Sequence, residues 1–144
     1  MSLFEVRVQA GPFDIGAEQA RLSALGPDVG AIVSFTGQVR DAALELEHYP
    51  GMAEREIAAL LEGARSRWPL LGAIVVHRHG RLAVGDAIVL VLTASSHRQA
   101  AFEAASYLMD WLKTRAPFWK KEAGGWVEAR DSDRDAAARW DDPG

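Results

Sequence analysis

The stretch GAIVVHRHGRLAVGDAIVLVLTASSHRQAAFEAASYLMDWLKTR, residues 72–115, decides the fold. Gly72–His79 and Ala87–Ala94 are rich in β-branched and aliphatic residues and flank Gly80 and Gly85-Asp86, a pattern that predicts a hairpin. A helix is predicted directly after it. Ser96 and Gln99 have capping-box spacing, Phe102, Ala105, Met109 and Leu112 form an apolar stripe, and the helix should end near Arg115, ahead of Pro117. Outward toward the N-terminus, a second helix is expected over about 52–67, closed by Pro69, with apolar positions at Met52, Ile57, Leu60, Leu61, Ala64 and Trp68. Leu44–Tyr49 and Val29–Thr36 read as strands with a loop over Gln38–Ala43 between them. A short helix over 16–24 stops at Gly26-Pro27, and residues 3–9 alternate as a half-buried strand. Toward the C-terminus, Phe118–Ala123 and Trp126–Ala129 flank Gly124-Gly125, another hairpin signal, and a short polar helix is expected near 132–139. Hairpins and helices in this order predict a single α+β domain over 1–144, with a largely antiparallel sheet and packed helices.

Composition narrows the function. The 144 residues are 49% hydrophobic and 25% charged, with a net charge of -4, which argues against a nucleic-acid binder driven by overall charge. No apolar run approaches the roughly 20 residues that span a bilayer, and MSLFEVRVQA lacks the layout of a secretion signal, so a cytoplasmic location is expected. With no cysteine there is no disulfide, thiolate metal site or cysteine nucleophile. Any sulfur handled by this chain must arrive on another molecule.

Four groups of cationic side chains could carry chemistry. Arg40 follows a strand and Gly37; it offers a bidentate fork for phosphate or carboxylate, or is a solvated surface residue. Ser95-Ser96-His97-Arg98 opens the long helix, where free N–H groups and the dipole favour an anion; the alternative is a capped helix with two solvated side chains. Lys113 lies at the edge of the apolar stripe and is expected to be partly buried. Like Lys120, it stands near aromatic residues that could lower its pKa, although a lysine near a helix C-terminus also simply complements the dipole. Strand alternation puts Phe118, Lys120 and Glu122 on one face, with Trp119 and Lys121 on the other. His77 and His79 share a strand face without a third ligand, so no metal site is expected. His48 is either a core hydrogen-bonding group or a pocket residue.

Several segments together resemble the catalytic (large) subunit of molybdopterin synthase. They are Val33-Ser34-Phe35-Thr36-Gly37-Gln38-Val39-Arg40, Leu46-Glu47-His48-Tyr49-Pro50-Gly51-Met52, His77-Arg78-His79-Gly80 and Ser95-Ser96-His97-Arg98. To these are added Leu112 through Glu122, which includes Lys113-Thr114-Arg115-Ala116-Pro117-Phe118-Trp119-Lys120, then Trp126 through Arg130, and Arg139-Trp140. They occur in the family's order and span nearly the whole chain. Gln38, where relatives often carry a basic residue, and the short segment between Arg40 and Leu44 depart from the family's pattern.

The resemblance implies an α/β hammerhead-like fold and a sulfurtransferase without a cofactor. It would convert cyclic pyranopterin monophosphate to molybdopterin, using sulfur carried as a thiocarboxylate on the C-terminal glycine of a small ubiquitin-like partner. It further implies Lys113 and Lys120 as catalytic residues. Arg40, His97 and Arg98 would bind the pterin and its phosphate, with Gln38, Val39, Lys121 and Glu122 lining the site. A homodimer within a heterotetramer is implied as well. Two rival readings stand beside it: a non-catalytic module that binds a ubiquitin-like tail in the same groove, and an unrelated phosphate-ester enzyme that needs no carrier.

Overall fold

The computed structural model describes residues 2–115, 118–122, 125–127 and 140, with the side chains at 115, 119–122 and 125–127 outside that set. The strand and helix order is β1 (Leu3–Gln9), α1 (Ile15–Ser23), β2 (Ala31–Gln38), β3 (Leu44–His48), α2 (Met52–Arg67), β4 (Leu70–Arg78), β5 (Gly80–Leu82), β6 (Ala87–Ser95), α3 (Arg98–Arg115), β7 (Phe118–Glu122) and β8 (Gly125–Val127). The polar helix expected near 132–139 lies outside the described residues. Among the described residues no helix is long and apolar enough to cross a membrane.

The larger sheet has the order β1-β4-β6-β2. Its two central strands, β4 and β6, pair antiparallel, with Val75 opposite Val91 and Ile74 opposite Leu92. Both are nearly continuous apolar runs because both faces are covered. Alternation sorts their side chains. Ala73, Val75, Val89 and Val91 join Ile57, Leu60, Leu61 and Ala64 of α2 and Ala105, Leu108 and Leu112 of α3 in one core. Ile74, Val76, Leu90, Leu92 and Ala94 pack with Leu22 of α1 on the other face. Gly72 permits the close approach of α1 and β1, since a Cβ there would lie 2.8 Å from both Leu22 Cδ2 and the Leu3 carbonyl oxygen.

Local signals set the helix starts. Asp14 caps α1 by accepting from the Ala17 N–H at 2.9 Å, and Glu54 reaches back to the Gly51 N–H at 3.1 Å to open α2. Trp140 docks on the outer side of α2 and α3, edge-on to Trp68 and Tyr107.

One expectation holds with an exception, and three are corrected. The sheet is largely antiparallel, as predicted, but β1 pairs parallel with β4. The 72–94 hairpin is interrupted by β5, which leaves the first sheet and pairs with β3 in a second one, of order β5-β3-β7-β8. Strand β2 runs on to Gln38, which slips register against β6 after Gly37. Phe102, placed on the apolar stripe by spacing, is 60% exposed.

Candidate active site

The second sheet springs from one end of the first. Its strand β3 is flanked by β5 and β7, so Leu46 stands opposite Gly80 on one side and Lys120 on the other. Lys121 pairs with Glu45 on β3 and with Trp126 on β8. The side chains of Lys120, Lys121 and Glu122, and their predicted alternation, lie outside the described residues.

The strand registers locate the other predicted residues. At one end Ala31 of β2 pairs with Ser95 of β6; at the other, Gln38 pairs with Ala87 and His77 of β4 with Val89. Helix α3 begins beside the end of β6, where Thr93 Oγ1 donates to the Ala101 carbonyl at 2.7 Å, and runs back over β2 and β6. Gln38, Val39, Arg40, Lys113, Lys120, Lys121 and Glu122 therefore gather at the end from which the second sheet springs. His97 and Arg98 sit at the opposite end.

Lys113 is exposed, not partly buried as its place on the stripe predicts. Leu112 beside it takes the buried position, 6% exposed. The aromatic rings described at this end gather around histidines. The ring of Phe118, first residue of β7, stacks on His77 with centroids 3.8 Å apart and 15° between planes. Phe118 also faces His48, its partner across the β3–β7 ladder, at 5.9 Å. His48 in turn lies 4.2 Å from His79. These contacts are invisible in sequence because they join residues 31 to 70 positions apart. The only signals were the His77-x-His79 spacing and His48 ahead of Pro50.

His77 is a partly exposed residue whose ring is covered, and burial pushes its pKa down to about 4. The Arg78 carbonyl, 2.8 Å from Nδ1, opposes that shift, while Lys113, His48 and His79 add to it. A carbonyl can only accept, so Nδ1 carries the proton and Nε2 is bare in the neutral ring. His79 is lowered too, first by burial and then by His48, with Glu54 opposing. Among the described residues no group of three His, Asp or Glu side chains is placed to hold a metal ion.

Gln38 is exposed at the end of β2. Val39 is 3% exposed and packs with Leu46 and Leu82. Its N–H donates to the Asp86 carbonyl and its carbonyl accepts from the Gly85 N–H. Val39 thus anchors the loop that presents its neighbours. Arg40 extends into solvent; among the described residues Asp41 lies nearby at 3.8 Å, a pairing too exposed to hold it. Asp41 adopts φ 70°, turning the chain sharply after Arg40.

At the far end, His97 and Arg98 are exposed and, with Gly30, Ser96 and Gln99, line a shallow pocket of about 600 Å³ at the start of α3. Gly30 closes its floor; a Cβ there would fall 2.1 Å from the Ser96 carbonyl oxygen. Gln99 does not turn back as a capping-box residue would: its Nε2 donates forward to Glu103 at 3.2 Å.

Two clusters of cations at opposite ends of one chain, one of them beside a helix N-terminus, suit a phosphorylated anionic substrate. Comparison with known proteins places the chain in a family. A family model described as MoaE protein matches residues 8–115. The chain is similar to the molybdopterin synthase catalytic subunit of Mesorhizobium japonicum, at 58% identity over 94% of this chain and 92% of that one. In structure it is similar to the molybdopterin biosynthesis MoaE protein of Burkholderia ambifaria, with a TM-score of 0.86 at 49% identity, covering 96% of this chain and 99% of that one. It is also similar to molybdopterin synthase of Staphylococcus aureus, with a TM-score of 0.75 at 33% identity, covering 83% and 94%. The chain belongs to the MoaE protein family, whose curated relatives at this likeness are catalytic subunits of molybdopterin synthase.

Proposed function

We propose that this chain is a cytoplasmic sulfurtransferase. It takes sulfur from the thiocarboxylated C-terminal glycine of a small ubiquitin-like carrier and installs it on cyclic pyranopterin monophosphate as the dithiolene of molybdopterin. The observation that carries the reading is family membership together with the cationic end of the fold, where Lys113 closes α3 and Lys120 lies on β7. Thiocarboxylate attack on the pterin side chain develops oxyanions, and water must then cleave the acyl-thioester that joins carrier to pterin. Lys113 and Lys120 are the residues proposed to stabilise those anions and move protons. Arg40, His97 and Arg98 are proposed to hold the phosphate and pterin, with Gln38, Val39, Lys121 and Glu122 around them.

The proposed working unit is a homodimer of this chain with one carrier on each subunit. Its support is geometric. Arg98 and Lys113 stand at opposite ends of α3, too far apart for one small substrate. An exposed Phe35 (39%) on the edge strand β2 and an exposed Phe102 on α3 offer apolar surface for a second copy.

Reconstitution tests the reading: this chain, thiocarboxylated carrier and cyclic pyranopterin monophosphate, with the product followed by mass. Dithiolene formation that requires all three supports it. A tail-binding module would hold the carrier and make no product, and a phosphate-ester enzyme would turn over without the carrier.

A further inference from the structure

His77 interrupts an apolar row. Ala73, Val75 and His77 are alternate residues of β4, and the first two face the helices α2 and α3 in the core. An imidazole in the third place costs desolvation that a valine or isoleucine would avoid. Its contacts show what it does there. One face lies flat on Phe118 at 3.8 Å. The Nδ1–H is tied to the Arg78 carbonyl, which sets the plane of the ring. The Lys113 ammonium is close enough to disfavour a second positive charge on it. Four residues separate Lys113 from Phe118 in the chain, and Phe118 is two residues from Lys120. His77 therefore meets the segment bearing both proposed catalytic lysines at its two ends. It does so from a buried strand of the first sheet, while Phe118 belongs to the second.

We propose that His77 is a positioning residue for the Lys113–Lys120 centre: its ring is the fixed surface against which Phe118 seats β7, setting where Lys120 stands relative to Lys113. The proposal rests on the reading of Lys113 and Lys120 as catalytic. His48 also faces Phe118 and in turn lies beside His79, so the first residue of β7 meets rings from both β4 and β3. Aromatic stacking fixes distance and tilt better than an aliphatic contact, because offset parallel rings have a preferred separation. A displacement of about 1 Å at a reacting group can lower a rate on the order of 100-fold.

The test uses the full chain with thiocarboxylated carrier and cyclic pyranopterin monophosphate in single-turnover sulfur transfer. His77→Leu keeps the volume and loses the flat face; His77→Phe keeps the face and loses the Nδ1–H. The expected result is a rate about 10- to 100-fold lower for His77→Leu, with pterin KM and carrier affinity unchanged, and recovery of the wild-type rate by His77→Phe. A wild-type rate for His77→Leu overturns the proposal, as does equal slowing by both variants, which would assign the effect to the Nδ1–H. If His77→Leu does not fold, Phe118→Leu removes the other ring: slow transfer supports the stack, and normal transfer overturns it. Lys113→Ala and Lys120→Ala run alongside. If both are fully active the lysine reading itself fails, an outcome distinct from normal transfer by His77→Leu beside inactive lysine variants.

Discussion

Arg98 and Lys113 stand on one uninterrupted helix, 15 positions apart. At about 1.5 Å per residue that is roughly 22 Å along the axis. A pterin monophosphate is about half that length by the same yardstick. In the proposed homodimer, with the two α3 helices antiparallel, Arg98 of one copy and Lys113 of the other would meet on one substrate, a span one helix does not close. Mixing inactive Lys113→Ala with inactive Arg98→Ala, under conditions where subunits exchange, should therefore restore activity, because each heterodimer has one site carrying both native groups. Demonstrated exchange without recovered activity would place Arg98 within its own chain's site or outside the reaction.

Lys113→Ala should abolish or nearly abolish dithiolene formation, and Lys120→Ala should impair it severely. A lost preorganised electrostatic contact slows a reaction on the order of 100-fold or more. Lys113 is exposed, so its truncation should leave the melting temperature close to wild type. A folded Lys113→Ala protein that makes product at the normal rate would remove Lys113 from the chemistry.

These residues were readable from sequence to different depths. Helix α2 and the end of α3 follow from period 3.6 and from Pro69 and Pro117, which are local signals. Strands β4 and β6 follow from unbroken apolar runs around glycine turns. Pairing across distance left no such trace. Leu3 meets Gly72 in parallel although they lie 69 positions apart, and nothing in either segment specifies direction. Phe102 fits the helical stripe by spacing yet faces solvent, because α3 turns Ala101, Ala104 and Leu108 inward alongside Ala105 and Leu112. The lysine motif could be matched as a string, whereas its seating on His77 exists only once three strands have assembled.

Acid should weaken the fold in two stages. His77 has its folded pKa pushed from 6.5 down to about 4. Between those values the unfolded chain binds a proton that the native chain refuses, so stability is full above about pH 6.5 and is lost as pH falls toward 4. The shift corresponds to a loss on the order of 3 kcal/mol. A second fall should begin below 4.5. Glu5, held down to about 2 by its hydrogen bond to Arg21 and also bonded to Arg7, must then take a proton. Glu18, lowered chiefly by Arg7, reinforces it. Urea unfolding at stepped pH tests this. His77→Phe should flatten most of the upper stage, with a remnant from His79, and leave the lower one. An unchanged upper stage in that variant would mean the native ring accepts its proton freely.

Trp140 should act as an anchor for the C-terminal end of the chain. Its ring meets Trp68 and Tyr107 edge-on, at 5.8 Å in both cases. The indole Nε1–H donates to Asp110 on α3, and the Trp140 carbonyl accepts from Arg67 Nη2 at 3.0 Å. One residue thus ties the C-terminal end of α2 to the middle of α3, over the seam where Trp68 Nε1 also donates to Glu103 at 2.7 Å. Edge-to-face aromatic pairs contribute about 0.5–1.5 kcal/mol each, and a hydrogen bond to a charged acceptor about 1.5–3 kcal/mol. Partial exposure of the ring reduces the sum, so Trp140→Ala should cost roughly 2–3 kcal/mol, a drop of about 5–10 °C in Tm for a domain of this size. Trp140→Phe keeps the ring contacts and loses only the Nε1–H, so its melting temperature should fall between the two. If Trp140→Ala melts with the wild type, the docking seen here contributes nothing and α2 and α3 hold together through Ile57, Leu61 and Leu108 alone. If Phe and Ala melt together well below wild type, the bond to Asp110 is the anchor and the ring contacts add little.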